Sequence, residues 1–451
     1  MLLIALGLFI GRRVESSGAF FVAGRSLGPL LLFATVLAAN IGAGSTVGAA
    51  GIGYRDGLSG WWWVGAAGIG TLLLALWIGP RIWRRAREHG LLTVGDYLEQ
   101  RYGSAVRATV AVLLWFGTLA ILAGQLIAMA WILEVVAGVP KLWGCLIGGG
   151  VMTVYFAAGG LVTSAWVNLV QLAVLLLGFA IALPWALSDL GGWTALAASS
   201  RAVGPDYFDL WGGGQSWLYL ALLVPAFMVS PGLLQKVYGA RDERAIRLGV
   251  GLSAIVLMLF AAVPPLLGMI ARAYRPGLEN SELALPTLLT DILPFALGSI
   301  GLAAVFSAEM SSADAILFML ATSLSKDLYK RFVNPEADDA RVLAVARFAA
   351  WLGGGLGVAL AILLPSVIDS LSIFYSLLGV SLLVPVVAGL HSRRPGIPEA
   401  MAAIAGGVAA LIAVKLTPGA PIDPTVAGLT ASALAFAVVF AVRFRRRAVG
   451  S

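Results

Sequence analysis

The sequence predicts an all-α polytopic membrane protein of about thirteen transmembrane helices, two of them interrupted in mid-membrane. Three observations carry this. Hydrophobic residues make up 60% of the 451-residue chain and charged residues only 12%, more apolar surface than a water-soluble fold can bury. The apolar runs are long and lack period-two alternation, which excludes an outer-membrane barrel. The 55 glycines and 20 prolines fit helices that pack closely or break.

The elements follow in order. A helix rises 1.5 Å per residue, so crossing a core of about 30 Å takes roughly twenty apolar residues. Apolar runs fall at 1–11, 28–54, 60–80, 104–137, 141–158, 160–187, 214–237, 245–273, 291–325, 342–364, 367–390, 396–415 and 425–442. The first is short, and its basic residues Arg12 and Arg13 follow the apolar run. With no basic n-region and no small-residue cleavage site, it reads as a helix and not as a signal peptide. With the N-terminus outside, the Arg-rich loops after 80, 237, 325 and 442 all fall in the cytoplasm. Only Arg55, Lys141, Arg201, Arg272, Arg275 and Lys415 then lie outside, the bias that sets membrane orientation. Loops 188–213 and 274–290 are long enough for short helices or a lid, and the chain forms one transmembrane domain.

Several function classes drop out. A single cysteine, Cys145, allows no internal disulfide, and His89 and His391 sit beside arginines in loops, which disfavours a His/Cys metal centre. The net charge of +7 resides at helix ends, where it anchors the chain, so no nucleic-acid partner is expected. No HExxH, nucleophile elbow or paired carboxylates in a soluble cleft suggest an enzyme.

Two spans carry breaks. Residues 38–51, AANIGAGSTVGAAG, hold four glycines, and residues 225–232, PAFMVSPG, hold two prolines and a glycine. Proline removes a backbone donor and glycine lowers helix propensity. Unwound backbone at membrane depth occurs where it lines a cavity or is buried in protein. The breaks lie five helices apart, an odd offset that reverses direction, as in inverted-repeat transporters with a midplane site. Glycine spacing for close helix packing is the alternative, and Asn40 and Ser230 at the breaks favour a site. A third span, 297–331, carries Glu309, Ser311, Ser312 and Asp314 in mid-membrane. Such groups cost a few kcal/mol each to insert and mark ion or substrate paths. Ala308, Ser311 and Asp314 share a helix face, and their carbonyl, hydroxyl and carboxylate oxygens suit a small hard cation.

Four segments carry a resemblance: FFVAGRSLGP (20–29), YFAAGGLVTSAWVNLVQ (155–171), SPGLLQKVYGARDERAIRLG (230–249) and AEMSSADAILFMLATSLSKDLYKR (308–331). In this order they resemble the sodium:solute symporter family, of the bacterial, solute carrier 5-like kind. The resemblance implies a five-plus-five inverted-repeat (LeuT-like) core. A preceding helix and lead-in would fill 1–27, the core 28–390, and two further helices with a basic tail 391–451. It implies a multi-pass protein of the bacterial cytoplasmic membrane, N-terminus outside and C-terminus cytoplasmic, in contact with lipid and monomeric or weakly oligomeric. Sodium would be held by the carbonyls of Ala38, Ile41 and Ala308 and the hydroxyls of Ser311 and Ser312.

The chain also departs from the family. Members with a second sodium site carry Asp where this chain has Asn168, and Glu309 replaces an apolar residue. Asp314, Asn168 and Glu309 are therefore the candidates for a second cation or a proton. Sugar-type members carry Glu and Gln where this chain has Gly44 and Ser45, so the polyhydroxyl reader is missing. The expected solute cavity comprises Asn40, Gly44, Ser45, Trp63, Gln125, Phe227 and Ser230, and its glycine walls suit an amino acid or small carboxylate better than a sugar. Trp61 and Trp62 read as an interfacial aromatic belt. The expected activity is sodium-coupled uptake of a small organic solute by alternating access. Its rivals are proton coupling through Glu309 or Asp314 and, further off, a membrane sensor.

Overall fold

The computed structural model describes residues 25–157, 161–213 and 216–449, apart from the side chains of 155–157, 161–169, 314 and 446–449. The expected helix 1–11, residues 158–160 of the second resembling segment, and the side chains of Asn168 and Asp314 lie outside what is described. Among the described residues all regular secondary structure is helical, and the one isolated extended pairing joins Leu27 to Ala240.

The first broken span is α1 (Pro29–Asn40) and α2 (Val47–Asp56). Next come α3 (61–89), the short α4 (Val94–Tyr102), α5 (Ser104–Ala137), α6 (Lys141–Ala157) and α7 (Leu161–Asp189). A short helix α8 (Gly192–Val203) leads to the second broken span, α9 (Ser216–Val229) and α10 (Pro231–Tyr238). Then follow α11 (Glu243–Tyr274), a helical segment 281–292, α12 (Phe295–Val333), α13 (Asp339–Leu363) and α14 (Val367–His391). The last pair is α15 (Ile397–Lys415) and α16 (Pro424–Val449). Leaving aside α4 and α8, each set of five spans up to α7 and α14 opens on a broken helix.

Among the described residues, ten helical runs are long and apolar enough to cross a membrane, and Pro29–Asn40 and Lys141–Val154 are shorter apolar helices. The expected thirteen is therefore not established by these runs. One of them, Ala43–His89, contains a reversal and holds the second part of the expected span 28–54 and all of 60–80. Gly57 turns the chain with a φ of +73°, left-handed space that favours glycine. Beyond the turn α3 runs back along the broken span, so that Asn40 bonds Thr71.

Each end of the bundle is tied by polar groups. At the basic end, Thr93 and Asp96 form a capping box that starts α4. Arg107 of α5 meets Asp327 at 2.7 Å, Glu99 at 2.8 Å and Asp96 at 2.9 Å, joining α4, α5 and α12. Burial pushes the Glu99 carboxyl up, but the Arg107 and Arg331 guanidiniums outweigh it and hold it below its ordinary value. At the opposite end, Glu282 accepts from Trp131 Nε1 and from the backbone N–H groups of Val367 and Ile368, which begin α14. Burial raises its carboxyl above the ordinary value despite these donors. Nearby, Trp62 Nε1 donates to Leu210 O at 2.8 Å and its ring packs on Trp211. Trp62 is thus buried under the 204–213 loop and does not belong to a lipid-facing belt; Trp61 stays partly exposed.

Candidate functional site

The α1–α2 break sets the site. After Asn40 the chain leaves the helix, and Gly42 adopts an extended conformation. Side chains, not helix, hold this segment. Ser45 Oγ accepts from Gly42 N at 3.0 Å and lies 2.9 Å from Asn40 O. Gln125 Oε1 of α5 accepts from Ala43 N at 2.9 Å. Asn40 Nδ2 donates to Thr71 Oγ1 of α3 at 3.2 Å. Gly42 lies so close to Ser312 and Gln125 that a methyl group there would overlap both.

Five oxygens meet between α1 and α12. Ser311 Oγ lies 3.0 Å from Ala38 O and 2.9 Å from Ala308 O. Ser312 Oγ lies 2.9 Å from Ile41 O and 3.4 Å from Ala38 O. Both serines are almost fully buried. The cluster is short of protons, because two hydroxyls carry one hydrogen each against three carbonyls. A buried group with surplus acceptors and no formal charge suits a small hard cation. Oxygens about 2.4 Å from a hard cation in octahedral array sit roughly 3.4 Å apart, so an ion would spread this cluster by a few tenths of an ångström. The structure thus places Ala38, Ile41, Ala308, Ser311 and Ser312 together.

Beside this cluster lies a cavity of about 60 Å³, room for a few water-sized groups. Asn40, Gly44, Ser45, Trp63, Gln125, Phe227 and Ser230 all line it, and Ser312 borders it as well. Roles differ among them. Ser45 and Gln125 Oε1 are committed to the unwound backbone, whereas Asn40 keeps its carbonyl oxygen and Gln125 its amide nitrogen for a ligand. Sequence reasoning missed Leu371 and Tyr375 of α14, Met319 of α12, Lys236 of α10, and Thr71 behind Asn40. Only Lys236 had a local signal, a charge six residues past the second break. Beyond Met319 a smaller cavity of about 30 Å³, with Thr118, Gln235, Thr322 and Asp327 in its wall, leads toward Arg107.

Glu309 falls on the other side of the cluster. It is fully buried, and its Oε1 lies 2.9 Å from Thr46 Oγ1 on the broken segment, away from the solute cavity. The structure therefore does not bring it to the cavity wall, and it leaves the Asp314 and Asn168 side chains undescribed.

Comparison with known proteins agrees with this architecture. Residues 20–407 match the model of the Sodium:solute symporter family. The sodium/pantothenate symporter of Escherichia coli (strain K12) is 28% identical over 97% of this chain and 94% of its own length. The sodium/glucose cotransporter of Vibrio parahaemolyticus is 25% identical over 77% of this chain and 70% of its own. In structure, a Na⁺-coupled sialic acid symporter in a substrate-bound, outward-open state superposes with a TM-score of 0.82 at 16% identity, covering 98% of this chain and 95% of that one. That likeness establishes the LeuT-like fold.

Proposed function

The chain belongs to the sodium:solute symporter family, a family of multi-pass membrane transporters with sodium as coupling ion, and we propose that it carries a small carboxylate or amino acid inward with sodium by alternating access. One observation carries the reading: Ser312 belongs at once to the five-oxygen cluster and to the wall of the solute cavity. Sodium at Ala38, Ile41, Ala308, Ser311 and Ser312 fixes the carbonyls on either side of the break. That orders the 41–46 segment, whose Ala43 N holds Gln125 in the cavity wall. Ion and solute therefore assist each other, and the coupling is reciprocal by thermodynamic necessity.

The solute contacts are Asn40, the Gln125 amide, Ser230 and the aromatic faces of Trp63 and Phe227, with Gly44 as the close wall. Release runs past Met319 through the Thr118–Gln235–Asp327 cavity to the basic end. In this reading the basic end is cytoplasmic, the N-terminus is outside, and the protein sits in the bacterial inner membrane. The units are the lead-in 1–27, the transport core 28–390, and the 391–451 addition.

A thermal-shift screen of purified protein tests this. Amino acids, monocarboxylates, sugars and nucleobases are added in sodium and in potassium, with Ser312→Ala alongside. A hit seen in sodium alone and lost in the variant supports the reading. A hit equal in both salts and indifferent to the variant contradicts it and directs attention to proton coupling.

A further inference from the structure

We infer that the basic end of α14, α15 and α16 holds an anionic phospholipid, its phosphate on Arg394 and Arg445 and its acyl chains along Phe436, Phe440 and Phe444. The inference needs only that the chain spans a membrane, and it is independent of the symport reading above. Three membrane runs reach the bilayer boundary here: Val367–His391, Ile397–Lys415 and Pro424–Arg445. Residues 392–396 alone join the first two, so Arg393 and Arg394 stand at that boundary, as does Arg445 at the end of the third. The sequence at this end, 391–399 and 443–447, holds six arginines and one acid, Glu399. That acid is already committed. Its side chain is 3% exposed and accepts from Gly396 N at 2.8 Å and from Arg443 Nη1 at 2.9 Å. Arg443 is therefore a strut that ties the end of α16 to the start of α15. Arg101 of α4 donates to Gly389 O and Ser392 O, so these last carbonyls of α14 do not offset its neighbours either. Arg393, Arg394 and Arg445 are exposed, and no carboxylate among the described residues pairs with them. Several arginines elsewhere at the basic end do have acids: Arg84 and Arg247 meet Glu243, Arg241 meets Asp242, and Arg331 meets Glu99.

An aromatic ridge lies directly beneath this charge. Arg394 Cζ sits 5.7 Å from the centroid of the Phe444 ring, a cation–π contact that holds the guanidinium at the edge of the apolar layer. Phe444 is 49% exposed and ends a stack with Phe440 and Phe436, whose centroids follow at 6.2 and 6.4 Å, one turn apart along α16. Val438 and Val442 on the same helix are exposed as well. α15 and α16 pack closely where Gly407 meets Gly428 and Ser432, and the aromatic ridge continues from the headgroup level into the apolar layer. A phospholipid matches both parts. Its phosphate oxygens accept from a planar guanidinium in bidentate fashion, and its chains lie on the rings and valines below. A zwitterionic lipid carries its own cation beside the phosphate, which the unpaired arginines repel. An anionic headgroup therefore fits better, and each basic residue at such a surface strengthens binding by about fivefold.

The test uses the whole purified chain in detergent and three probes: dioleoyl phosphatidylglycerol, dioleoyl phosphatidylcholine and inorganic phosphate. Native mass spectrometry counts the lipid retained, and the unfolding temperature is read alongside. The wild-type protein should retain phosphatidylglycerol over phosphatidylcholine and gain stability from it, with no gain from inorganic phosphate. In the double variant Arg394→Gln, Arg445→Gln the half-saturating phosphatidylglycerol concentration should rise by roughly twentyfold to thirtyfold. Phe444→Ala, which keeps every charge, should raise it about twofold to fivefold. Arg241→Gln, Arg244→Gln, which removes two arginines from the turn between α10 and α11 at the same end, should stay close to wild type. Unfolding temperatures without lipid should match in all four proteins, which shows the variants folded. Equal retention of the two lipids, or wild-type affinity in the Arg394, Arg445 variant, would overturn the inference. An equal loss in the Arg241, Arg244 variant would also overturn it, as a general attraction of the basic end with no site. So would stabilisation by inorganic phosphate equal to that by the lipid, or a dimer of the chain in place of retained lipid.

Discussion

Replacing Gly42 by alanine places one methyl group where the ion cluster and the solute cavity touch. Built on the backbone, the added carbon lies 2.6 Å from Ser312 Cβ and 2.8 Å from Gln125 Oε1, and it overlaps Ser312 Oγ. Ordinary carbon contacts need about 3.5–4 Å, so Ser312 must retreat by roughly 1 Å. Its Oγ is 2.9 Å from Ile41 O, and such a retreat takes it out of reach. The backbone itself is not strained, because Gly42 has a φ of −151° that alanine adopts freely. The effect is therefore steric and local. Losing one charge-binding oxygen costs about 1.5–3 kcal/mol, a weakening of sodium binding by roughly tenfold to a hundredfold. The assay is the sodium concentration that gives half-maximal thermal stabilisation, repeated with uptake into proteoliposomes. Gly251→Ala serves as control, since its added carbon has no neighbour nearer than Ala75 Cβ at 3.9 Å. Half-maximal sodium for a folded Gly42→Ala protein equal to that of the control would refute the proposed ion position.

Other substitutions probe the parts around it. Thr71→Val removes the acceptor that orients Asn40 at 3.2 Å, and should weaken solute binding several-fold while leaving the response to sodium alone intact; isothermal titration distinguishes the two. Arg107→Ala leaves Asp96, Glu99 and Asp327 without their shared cation, and a broken buried pair costs about 3–5 kcal/mol, to be read as a fall in unfolding temperature that Arg107→Lys partly restores. Glu282 binds its proton more tightly in the folded protein than in the unfolded chain. Its contribution to stability therefore falls as pH rises from the ordinary carboxylate range through its raised value, and Glu282→Gln should flatten that slope in unfolding measured across acid pH.

Much of the helical frame was legible because a bilayer imposes run lengths. The run 104–137 coincides with α5, and 367–390 falls one residue short of α14. Misjudged ends lie where helices leave the apolar layer. α3 runs on to His89 and α12 to Val333 as amphipathic turns that hydropathy alone truncates. α4 was missed for the same reason, although the Thr93-x-x-Asp96 capping signal was present in the sequence. The two breaks located the cavity because Gly and Pro act through local backbone physics. Leu371 and Tyr375 were invisible because an apolar residue on an apolar helix gives no sign of which neighbour it meets. Lys236 was read as a helix-end anchor, since charge and position alone do not reveal that its ammonium points inward. Trp62 was misplaced in the belt because its partners, Leu210 and Trp211, are nearly 150 residues away in the chain.

The central claim is that ion and solute meet through Ser312, and linkage measures it most directly. The affinity for sodium is determined with and without saturating solute, and the affinity for solute with and without saturating sodium, in wild type and in Ser312→Ala. The account predicts the same factor in both directions for the wild-type protein, and a factor near one in the variant. A wild-type protein whose sodium affinity ignores the solute, or a variant that keeps the full coupling, would contradict it.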